Sequence, residues 1–406
     1  MVLAGGRVDE LLCLTERRPK AALPIFGSYR IIDFVLSNMM HSGVNNVGVL
    51  SQYRPYSLMR HIGTGEHWDF IGRKRGVRIL PPYRGFKESD WYKGTADAVY
   101  QNVSYLQEYN PEYVLIAAGD HIYRMNYQPL LEFHIEKNAD ATVCFTKLRK
   151  KSPWFGYGVF DKSGRLIEYL EKPEKPPSDW VSMTVYIFKT RFLIDLLKDN
   201  AAENSHQFGR DIIPKLVAQG RAYAYKFTDY WAYGRTIESY YETNMDLLKS
   251  KIDLKRYQIR TNLVEGNVRG DRLPAYIDGL VSNAVISAGC VVYGQVKNSI
   301  LSPGVYVAPK AKVIDSIIFH DTKIGQGVVL NRAIIDKGSQ IGEGAIIGTF
   351  GAEIPSKEFG ALLNCGITLL GRRTNIQDKT KIGSNTVIYA DRTIDEKEIE
   401  PGSTLR

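Results

Sequence analysis

The chain has 406 residues, 44% of them hydrophobic, and a formal net charge of +9 at pH 7. One domain usually takes roughly 100 to 200 residues, so this length indicates two domains. No apolar run approaches the roughly 20 residues that span a bilayer, and no charged-then-apolar leader surrounds Met1, so we expect a cytoplasmic protein without a membrane partner. The basic residues are spread rather than blocked, which favours phosphorylated metabolites over nucleic acid as ligands. The four cysteines lie far apart and are expected to be free thiols.

The first part of the chain alternates short apolar runs with amphipathic segments. Three runs have the character of buried strands: 1–4, 46–50 and 113–118. Between the last two, residues 97–109 place apolar side chains at helical intervals. Strands that alternate with helices predict a mostly parallel sheet, and ligands of such a sheet bind at the carboxyl ends of its strands. Gly5-Gly6 and Gly119-Asp120 follow two of these strands, so the sequence predicts a binding site there.

The pattern changes after residues 253–274, a polar segment without a clear period that is interpreted as a linker. From Ile286 onward an aliphatic residue recurs about every six positions, with small residues between. The clearest members are Ile300, Val305, Ile317, Ile324, Leu330, Ile335, Ile341 and Ile347. This period predicts a left-handed parallel β-helix, in which each coil stacks its aliphatic residues on the next. The stretch 348–375 interrupts the period and is expected to leave the coil as a loop.

Several runs of residues are long and specific. They are Tyr29-Arg30-Ile31-Ile32-Asp33-Phe34, Trp91-Tyr92-Lys93-Gly94-Thr95-Ala96-Asp97, Gly119-Asp120-His121-Ile122-Tyr123, Glu171-Lys172-Pro173 and Phe208-Gly209-Arg210-Asp211-Ile212-Ile213-Pro214. With these runs the chain resembles the ADP-glucose pyrophosphorylase family, the glucose-1-phosphate adenylyltransferases of glycogen and starch synthesis. The resemblance implies an α/β fold, with a Rossmann-like nucleotidyltransferase domain over residues 1–252 and a left-handed β-helix over 275–406. It also implies a reaction of ATP with glucose 1-phosphate that gives ADP-glucose and pyrophosphate, with Mg²⁺ offsetting phosphate charge.

The resemblance assigns roles to individual residues. Asp120 matches the aspartate that binds the metal ion, a role that suits a carboxylate and a hard cation. Lys172 matches the lysine that holds the sugar phosphate. The positions that match the lining of the substrate pocket are Gly5, Gly6, Gln52, Tyr92, Gly94, Thr95, Ser182 and Asp211. For each position the alternative is an ordinary packing, turn or surface role.

The phosphate loop departs from the family pattern. The family has Gly-Gly, any residue, Gly, any residue, Arg, whereas this chain has Gly5-Gly6-Arg7-Val8-Asp9-Glu10. Val8 replaces the third glycine and is expected to obstruct the backbone amides that hold the triphosphate. Glu10 replaces the arginine that stabilises charge on the departing pyrophosphate, and Asp9 adds a second negative charge. By analogy, loss of a transition-state arginine costs on the order of 10³-fold in phosphoryl transfer.

The second departure affects the metal site and the sugar side. Tyr233 stands where the family has its other metal-binding aspartate, and a tyrosine is a poor Mg²⁺ ligand at neutral pH. Thr184 and Arg235 stand where the family has glycines, so both are expected to crowd the sugar side. A weakened Mg²⁺ site is therefore expected.

Basic residues carry the expected regulatory site. Family members are tetramers controlled by phosphorylated metabolites or phosphate. Arg17, Lys20 and Arg30 match basic positions after the phosphate loop. Arg372-Arg373 is expected to lie on the loop that leaves the β-helix. They are expected to form one anion site, with a solvated surface role as the alternative.

Together these departures favour a regulatory subunit, weakly active or inactive alone, that assembles with an active paralogue in a heterotetramer. One alternative is an ordinary active enzyme with rearranged ligands. Another is a stand-alone sensor that binds sugar phosphates. His320 is the only histidine in the repeats, so a scaffold role for the β-helix is favoured over an acyltransferase site.

Overall fold

The computed structural model describes residues 1–6, 8–83, 91–148, 151–263 and 273–406. Their internal contacts divide the chain into two compact units. The first unit comprises Met1–Gly6, Phe34–Pro55 and Ile62–Trp231, and the second comprises Arg7–Asp33, Tyr56–His61 and Ala232–Arg406. The contacts thus group two early segments with the carboxyl-terminal half. The predicted boundaries at residues 252 and 275, which follow sequence order, stay a prediction.

A mixed sheet forms the core of the first unit. Within the described ranges it has nine strands, and seven of them follow one path: Leu166–Glu171, Gly156–Phe160, Trp180–Lys189, Tyr113–Ala118, Val2–Leu3, Asn46–Leu50 and Gly76–Leu80. The other two are Ala141–Lys147, which pairs with Trp180–Lys189, and Ala222–Lys226, which pairs with Ala141–Lys147.

The expectation of a mostly parallel sheet was only partly right. The pairs made by Val2–Leu3 and Asn46–Leu50 are parallel, but Trp180–Lys189 runs antiparallel to Tyr113–Ala118. Leu166–Glu171 also runs antiparallel to Gly156–Phe160. The connection between these last two strands is short and returns the chain in the opposite direction, whereas a parallel pair needs a long crossover. The alternating pattern of the first 120 residues did not extend to this later part of the sheet.

Helices and short strands complete the elements. The α-helices span Ile32–His41, Tyr56–Ile62, Thr95–Tyr100, Val103–Tyr109, Gln128–Glu136, Thr190–Asn200, Ile213–Gln219, Ile237–Leu248 and Leu254–Tyr257. Tighter 3₁₀ turns span Asp9–Thr15, Lys20–Ala22 and Glu66–Trp68, and a π-helical turn spans Phe208–Ile212. The remaining short strands outside the β-helix are Pro24–Ile25, Tyr29–Arg30, Ile122–Tyr123 and Trp231–Ala232.

The helix expected over residues 97–109 is two shorter helices. They meet at Asn102, whose side-chain amide donates to the Ala98 carbonyl at 2.9 Å and to the Tyr92 hydroxyl at 2.9 Å. An asparagine side chain that bonds to nearby backbone competes with helix continuation, which accounts for the break.

Three parallel sheets build the β-helix. Within residues 273–406 each sheet has seven strands, and successive coils pair in register. The first sheet contains Tyr276–Ile277, Val291–Val292, Tyr306–Val307, Lys323–Ile324, Gln340–Ile341, Asn375–Ile376 and Thr393–Ile394. The second contains Leu280–Ser282, Gln295–Lys297, Lys312–Ile314, Val329–Asn331, Ile346–Ile347, Lys381–Ile382 and Glu398–Ile399. The third contains Val285–Ile286, Ile300–Leu301, Ile317–Ile318, Ala333–Ile335, Thr368–Leu370, Val387–Ile388 and Thr404–Leu405.

The aliphatic period predicted this architecture correctly. All eight aliphatic residues singled out in the sequence are buried, from Ile300 to Ile347. Six of them, all except Ile300 and Ile317, belong to one continuous apolar core of the repeats. His320 is also buried and lies in this repeat region.

The excursion from the coil is shorter than expected. The repeat resumes at Thr368–Leu370, which pairs with Ala333–Ile335 across the gap, rather than after residue 375. Arg372-Arg373 therefore lies in a turn between two β-helix strands and not on the excursion, which corrects the sequence assignment. Residues 348–367 form the excursion. The buried side chain of Asn385 fixes them, since it donates to the Ile354 carbonyl at 2.7 Å and accepts from the Gly366 amide at 2.7 Å.

The segment 253–274, interpreted as a linker, contains the short helix Leu254–Tyr257. The Asp253 side chain accepts from the Lys255 and Arg256 amides and begins this helix. Residues 264–272 of the segment lie outside the described residues. Cys13, Cys144, Cys290 and Cys365 are free thiols, as predicted. Across the part of the chain that the structure describes, no helix has the length and apolar character needed to cross a membrane.

A buried histidine predicts how the first unit responds to acid. His134 is fully buried, and burial, with Lys189 nearby, lowers its pKa from 6.5 to about 4. Between pH 6.5 and 4 the unfolded chain therefore binds a proton that the folded chain resists, so stability falls as pH falls through this window. We expect this residue to account for up to about 3 kcal/mol of lost stability at pH 4. Urea unfolding at pH 7 and pH 4.5 should show a smaller loss for His134→Gln than for the wild type. The control, His67→Gln at a partly exposed histidine, should behave as the wild type.

Candidate functional site

The predicted glycine turns lie side by side in the first unit. Leu3 pairs in parallel with Leu50 on one side and with Ala118 on the other. The Gly119 amide donates to the Leu3 carbonyl at 2.9 Å. Gly5-Gly6 and Gly119-Asp120 therefore follow adjacent strands at the same edge of the sheet, as expected from their positions in the sequence.

Gly5 has a packing reason to be glycine. A Cβ atom there would lie 3.0 Å from the Gln52 amide nitrogen and 3.2 Å from the Leu50 carbonyl, which are backbone atoms and cannot move aside. A Cβ on Gly6 would meet nothing within 4 Å. Arg7, the next residue of the loop, lies outside the described residues.

Asp120 is accessible at the end of its strand. Its side chain is 23% exposed, and its Oδ1 lies 3.7 Å from His121 Nε2. His121 packs edge-on against the Trp231 ring, with 5.3 Å between centroids. The position leaves a carboxylate oxygen within reach of solvent, which a metal-binding role requires.

Gln52 and Tyr92 are joined through the backbone of Tyr92. The Tyr92 amide donates to Gln52 Oε1 at 2.7 Å, and Gln52 Nε2 donates to the Tyr92 carbonyl at 3.3 Å. The Tyr92 hydroxyl donates to the Leu80 carbonyl, and burial raises its pKa to about 12. The structure therefore brings these two predicted pocket residues together, and the phenol remains protonated at neutral pH.

Gly94, Thr95 and Asp211 meet around residues 206–207. The Phe208 amide donates to Thr95 Oγ1 at 3.0 Å, and the Thr95 hydroxyl donates to Gln207 Oε1 at 3.2 Å. The Asp211 carboxylate accepts from the Gln207 amide at 2.6 Å and from the Ser205 hydroxyl at 2.8 Å. Asp211 thus holds the turn that holds Thr95. Gln207 also belongs to this network, and no motif in the sequence predicted it.

Lys172, Ser182 and Thr184 are the residues that the sequence predicts on the sugar side. Lys172 is exposed and has a positive φ of 51°. Thr184 has a φ of 52°, at an irregularity of the strand between Ser182 and Tyr186. A β-branched residue in this left-handed region is strained by on the order of 1–3 kcal/mol. Thr184 therefore retains a backbone conformation suited to the glycine of the family pattern, while adding a side chain there.

In the second unit, Glu10 is paired with Arg235. Arg235 Nε donates to Glu10 Oε1 at 2.9 Å, and Nη2 donates to the same oxygen at 2.5 Å. The two side chains are 16% and 23% exposed, so solvent screens the pair only in part. Two departures from the family pattern, 225 positions apart in sequence, thus form one ion pair.

Tyr233 belongs to the same cluster. Arg235 Nη1 donates to its hydroxyl at 3.5 Å, and the ammonium group of Lys20 lies 3.3 Å from the centre of its ring. Lys20 is buried, and a cation over an aromatic face is stabilised by the ring quadrupole. We call Glu10, Lys20, Tyr233 and Arg235 the replacement cluster, because three of its four members differ from the family pattern. Val8 also departs from the family pattern, and its carbonyl oxygen accepts a hydrogen bond from the Thr15 hydroxyl at 2.7 Å.

The expected magnesium ligands fit only in part. Asp120 supplies one accessible carboxylate, but the position of the second carboxylate is Tyr233, whose phenol faces two cations. Among the described residues, no group of three or more His, Cys, Asp or Glu side chains could hold a metal ion. Tyr233 leaves that position without the second carboxylate that the resemblance implied.

The predicted anion-binding residues lie in the second unit, and four of the five, Arg17, Lys20, Arg30 and Arg373, already contact other residues. Arg17 and Arg373 both contact Asp391, at 3.3 and 2.6 Å, and the hydrogen bond from Arg373 lowers the pKa of that carboxyl. Arg30 is buried and donates to the Ala22 carbonyl at 3.3 Å. Lys20 lies in the replacement cluster.

Arg372 has a distinct environment. Burial, and then the positive charges of Arg373 and Arg18, lower its pKa, and its buried Nε donates to no acceptor among the described residues. Arg18 is itself buried against Asp336. Arg18, Asp336 and Asp391 were not predicted, because an isolated charge in a sequence does not indicate which residue it contacts.

Comparisons with known proteins agree on both halves of the chain. Residues 1–250 match the profile of a family described as nucleotidyl transferase, and residues 275–370 match one described as GlmU-like, C-terminal hexapeptide. The chain is 41% identical over 403 residues to the glucose-1-phosphate adenylyltransferase of Fervidobacterium nodosum, with 97% of this chain and 95% of that protein covered. It is 40% identical to the enzyme of that name from Acetivibrio thermocellus, covering 96% and 92%. It is 43% identical to that from Clostridium perfringens, covering 88% and 96%.

Gly94 gives a direct test of the pocket geometry. A Cβ atom there would lie 2.1 Å from the His206 carbonyl oxygen, and the Ala96 amide already donates to that oxygen. We expect Gly94→Ala to destabilise the chain by about 3 kcal/mol through the displaced backbone. Gly76→Ala is the matched control, since a Cβ on Gly76 meets nothing within 4 Å. Equal unfolding midpoints for the two variants in urea would contradict this packing.

Proposed function

The chain belongs to the glucose-1-phosphate adenylyltransferase family, and we propose that it is a regulatory subunit with weak or no activity of its own. The family reaction joins ATP and glucose 1-phosphate to give ADP-glucose and pyrophosphate, for glycogen or starch synthesis. The proposed subunit acts in the cytoplasm and assembles with an active paralogue in a heterotetramer. It binds neither membranes nor nucleic acid.

The replacement cluster is the observation that carries this proposal. The family pattern requires a cation at position 10 and a carboxylate at position 233, both directed at a nucleotide or its metal ion. Here Glu10 reverses the first charge, and Tyr233 removes the second. Both side chains are engaged with Arg235. Electrostatic stabilisation of the transition state is usually the largest catalytic term, so these two changes together argue for strongly reduced turnover.

The absence of a carboxylate at position 233 supports the same proposal. Mg²⁺ commonly binds through one or two carboxylates together with substrate phosphates. When bound, the ion would neutralise charge on the phosphates. Asp120 can contribute one oxygen, but Tyr233 contributes no carboxylate. We therefore propose that nucleotide and metal bind weakly. Asp120, Lys172, Gln52 and Tyr92 still match the family pattern of the substrate pocket.

Regulation is proposed to act through the basic residues of the second unit. Arg372 carries a buried donor among other cations, so an added anion would offset their repulsion. Arg17, Lys20, Arg30 and Arg373 lie in the same unit and supply further positive charge. A phosphorylated effector is the ligand class that fits this charge.

An active enzyme with rearranged ligands is the second candidate. One observation favours it: the Arg235 guanidinium lies directly against position 10, so a cation is still present there, supplied from another part of the chain. In this alternative Arg235 would assume the role of the missing arginine. Its carboxylate partner Glu10 argues against that role, because the pair has little net charge.

The activity of the purified chain tests the proposal. With ATP, glucose 1-phosphate and Mg²⁺, we expect turnover at least 10³-fold below that of an active family member, because a transition-state cation is replaced by an acid. Mixed or co-expressed with the active paralogue from the same genome, the chain should co-purify and change the paralogue's response to phosphorylated effectors. Pyrophosphate release measured for each protein alone and for the mixture distinguishes these outcomes.

Two results would contradict the proposal in different ways. Turnover of about 1 to 10³ per second by the chain alone would favour the active enzyme. An inactive chain that binds glucose 1-phosphate but neither co-purifies with the paralogue nor alters its kinetics would instead favour a stand-alone sensor.

Restoring the family residues provides a second prediction. Glu10→Arg would bring a second guanidinium beside Arg235. Restoring only the family residues at positions 10 and 233 would therefore place two like charges together, so Arg235 must be replaced as well. We expect the triple variant Glu10→Arg, Tyr233→Asp and Arg235→Gly to raise turnover at least 10-fold above the wild type, because it restores a cation and a carboxylate without that repulsion. The variant that keeps Arg235 should gain less. A wild-type chain already using Arg235 would lose activity in the triple variant, and that loss would exclude the proposal.

A further inference from the structure

Glu10 makes the kind of contact that a phosphate oxygen makes with arginine. Two guanidinium nitrogens of Arg235 donate to a single carboxylate oxygen, Oε1, at 2.9 and 2.5 Å. Guanidinium groups bind carboxylate and phosphate by this same charge-assisted geometry. The carboxylate comes from the loop that in the family receives phosphates. The Glu10 carboxylate thus binds the Arg235 guanidinium, to which a phosphate group could otherwise bind.

A second cation lies across the same phenol. The Tyr233 ring faces the ammonium of Lys20 at 3.3 Å, while its hydroxyl accepts from Arg235 at 3.5 Å. Lys20 is 1% exposed, so its charge is poorly screened by water. The four members therefore include one carboxylate and two cations, and removal of the Glu10 charge would raise the positive surplus among them from one charge to two.

We propose that Glu10 is a built-in anion that blocks the binding of diphosphate-bearing ligands to the cluster of Lys20, Tyr233 and Arg235. The inference rests on the proposed function and deepens it, since it names the group that keeps nucleotide phosphates and pyrophosphate away. All four residues belong to the second unit, so the inference depends on contacts within one compact part of the chain. Asp9, which is exposed and adjacent in sequence, remains as a smaller source of repulsion.

Pyrophosphate binding to Glu10→Gln tests this directly. Glutamine keeps the shape of the side chain and removes its charge, so Arg235 loses its ionic partner while the loop is preserved. By isothermal titration of the full chain with inorganic pyrophosphate, without metal, we expect the Kd of Glu10→Gln to be at least 10-fold lower than that of the wild type. Adding Arg235→Gln to this variant should abolish the gain, which would locate the new binding at the cluster.

A matched control removes the same charge elsewhere in the same unit. Glu400 forms an exposed pair with Lys357 at 2.6 Å. Glu400→Gln should bind pyrophosphate as the wild type does. A tenfold gain in this control would mean that net charge alone governs binding, and would overturn the proposal.

The outcome remains decisive if Glu10→Gln folds poorly. Glu10→Asp shortens the side chain by one methylene and keeps its charge, so it loosens the contact without leaving Arg235 unpaired. We then expect Kd for pyrophosphate to fall at least 3-fold. A folded Glu10→Gln, or in its place a folded Glu10→Asp, with wild-type Kd would overturn the proposal.

This binding measurement separates the inference from the proposed function. A wild-type chain that turns over substrate rapidly would refute the regulatory role, whatever Glu10→Gln binds. An inactive wild-type chain whose Glu10→Gln variant binds no tighter would refute the built-in anion and leave the regulatory role intact.

Discussion

The arrangement of the first unit depends on the parallel pairing of Val2–Leu3 on both of its sides. This strand is short, yet it aligns Leu50 and Ala118 on either side, so three chain segments end at one edge of the sheet. Backbone hydrogen bonds fix this alignment without help from the side chains that carry chemistry. Residues at strand ends can therefore change while their positions stay the same.

Local patterns in the sequence predicted the repeats well and the mixed sheet less well. The aliphatic period of the β-helix repeats within each coil, so it can be read from neighbouring residues, and Ile300 through Ile347 are buried as expected. The direction of Trp180–Lys189 depends on how distant strands pair, and no local period encodes it. The same reason explains the misplaced end of the excursion. Thr368 resumes the ladder through its partner Ala333, not through a change in composition.

The candidate site was predictable by position but not by contact. Motifs identified Glu10, Tyr233 and Arg235 as three separate departures. Only the structure shows that they meet, because an ion pair between residues 225 positions apart leaves no trace in a single sequence. This contact changes the physical interpretation. An acid in place of a base would by itself leave an uncompensated charge at a partly buried position, whereas the pair with Arg235 satisfies it. The departures are thus coupled, and none can be assessed alone.

Asn385 has a consequence for how the β-helix can vary among relatives. Its amide holds residues 348–367 against coils whose ladder continues directly from Ala333–Ile335 to Thr368–Leu370. The stacking of the coils therefore does not depend on the length of the excursion. Each doubling of such a detour costs only about 0.6 kcal/mol of closure entropy. Residues 348–367 can accordingly be lengthened, shortened or replaced, in evolution or by design, while the coils on either side keep their stacking.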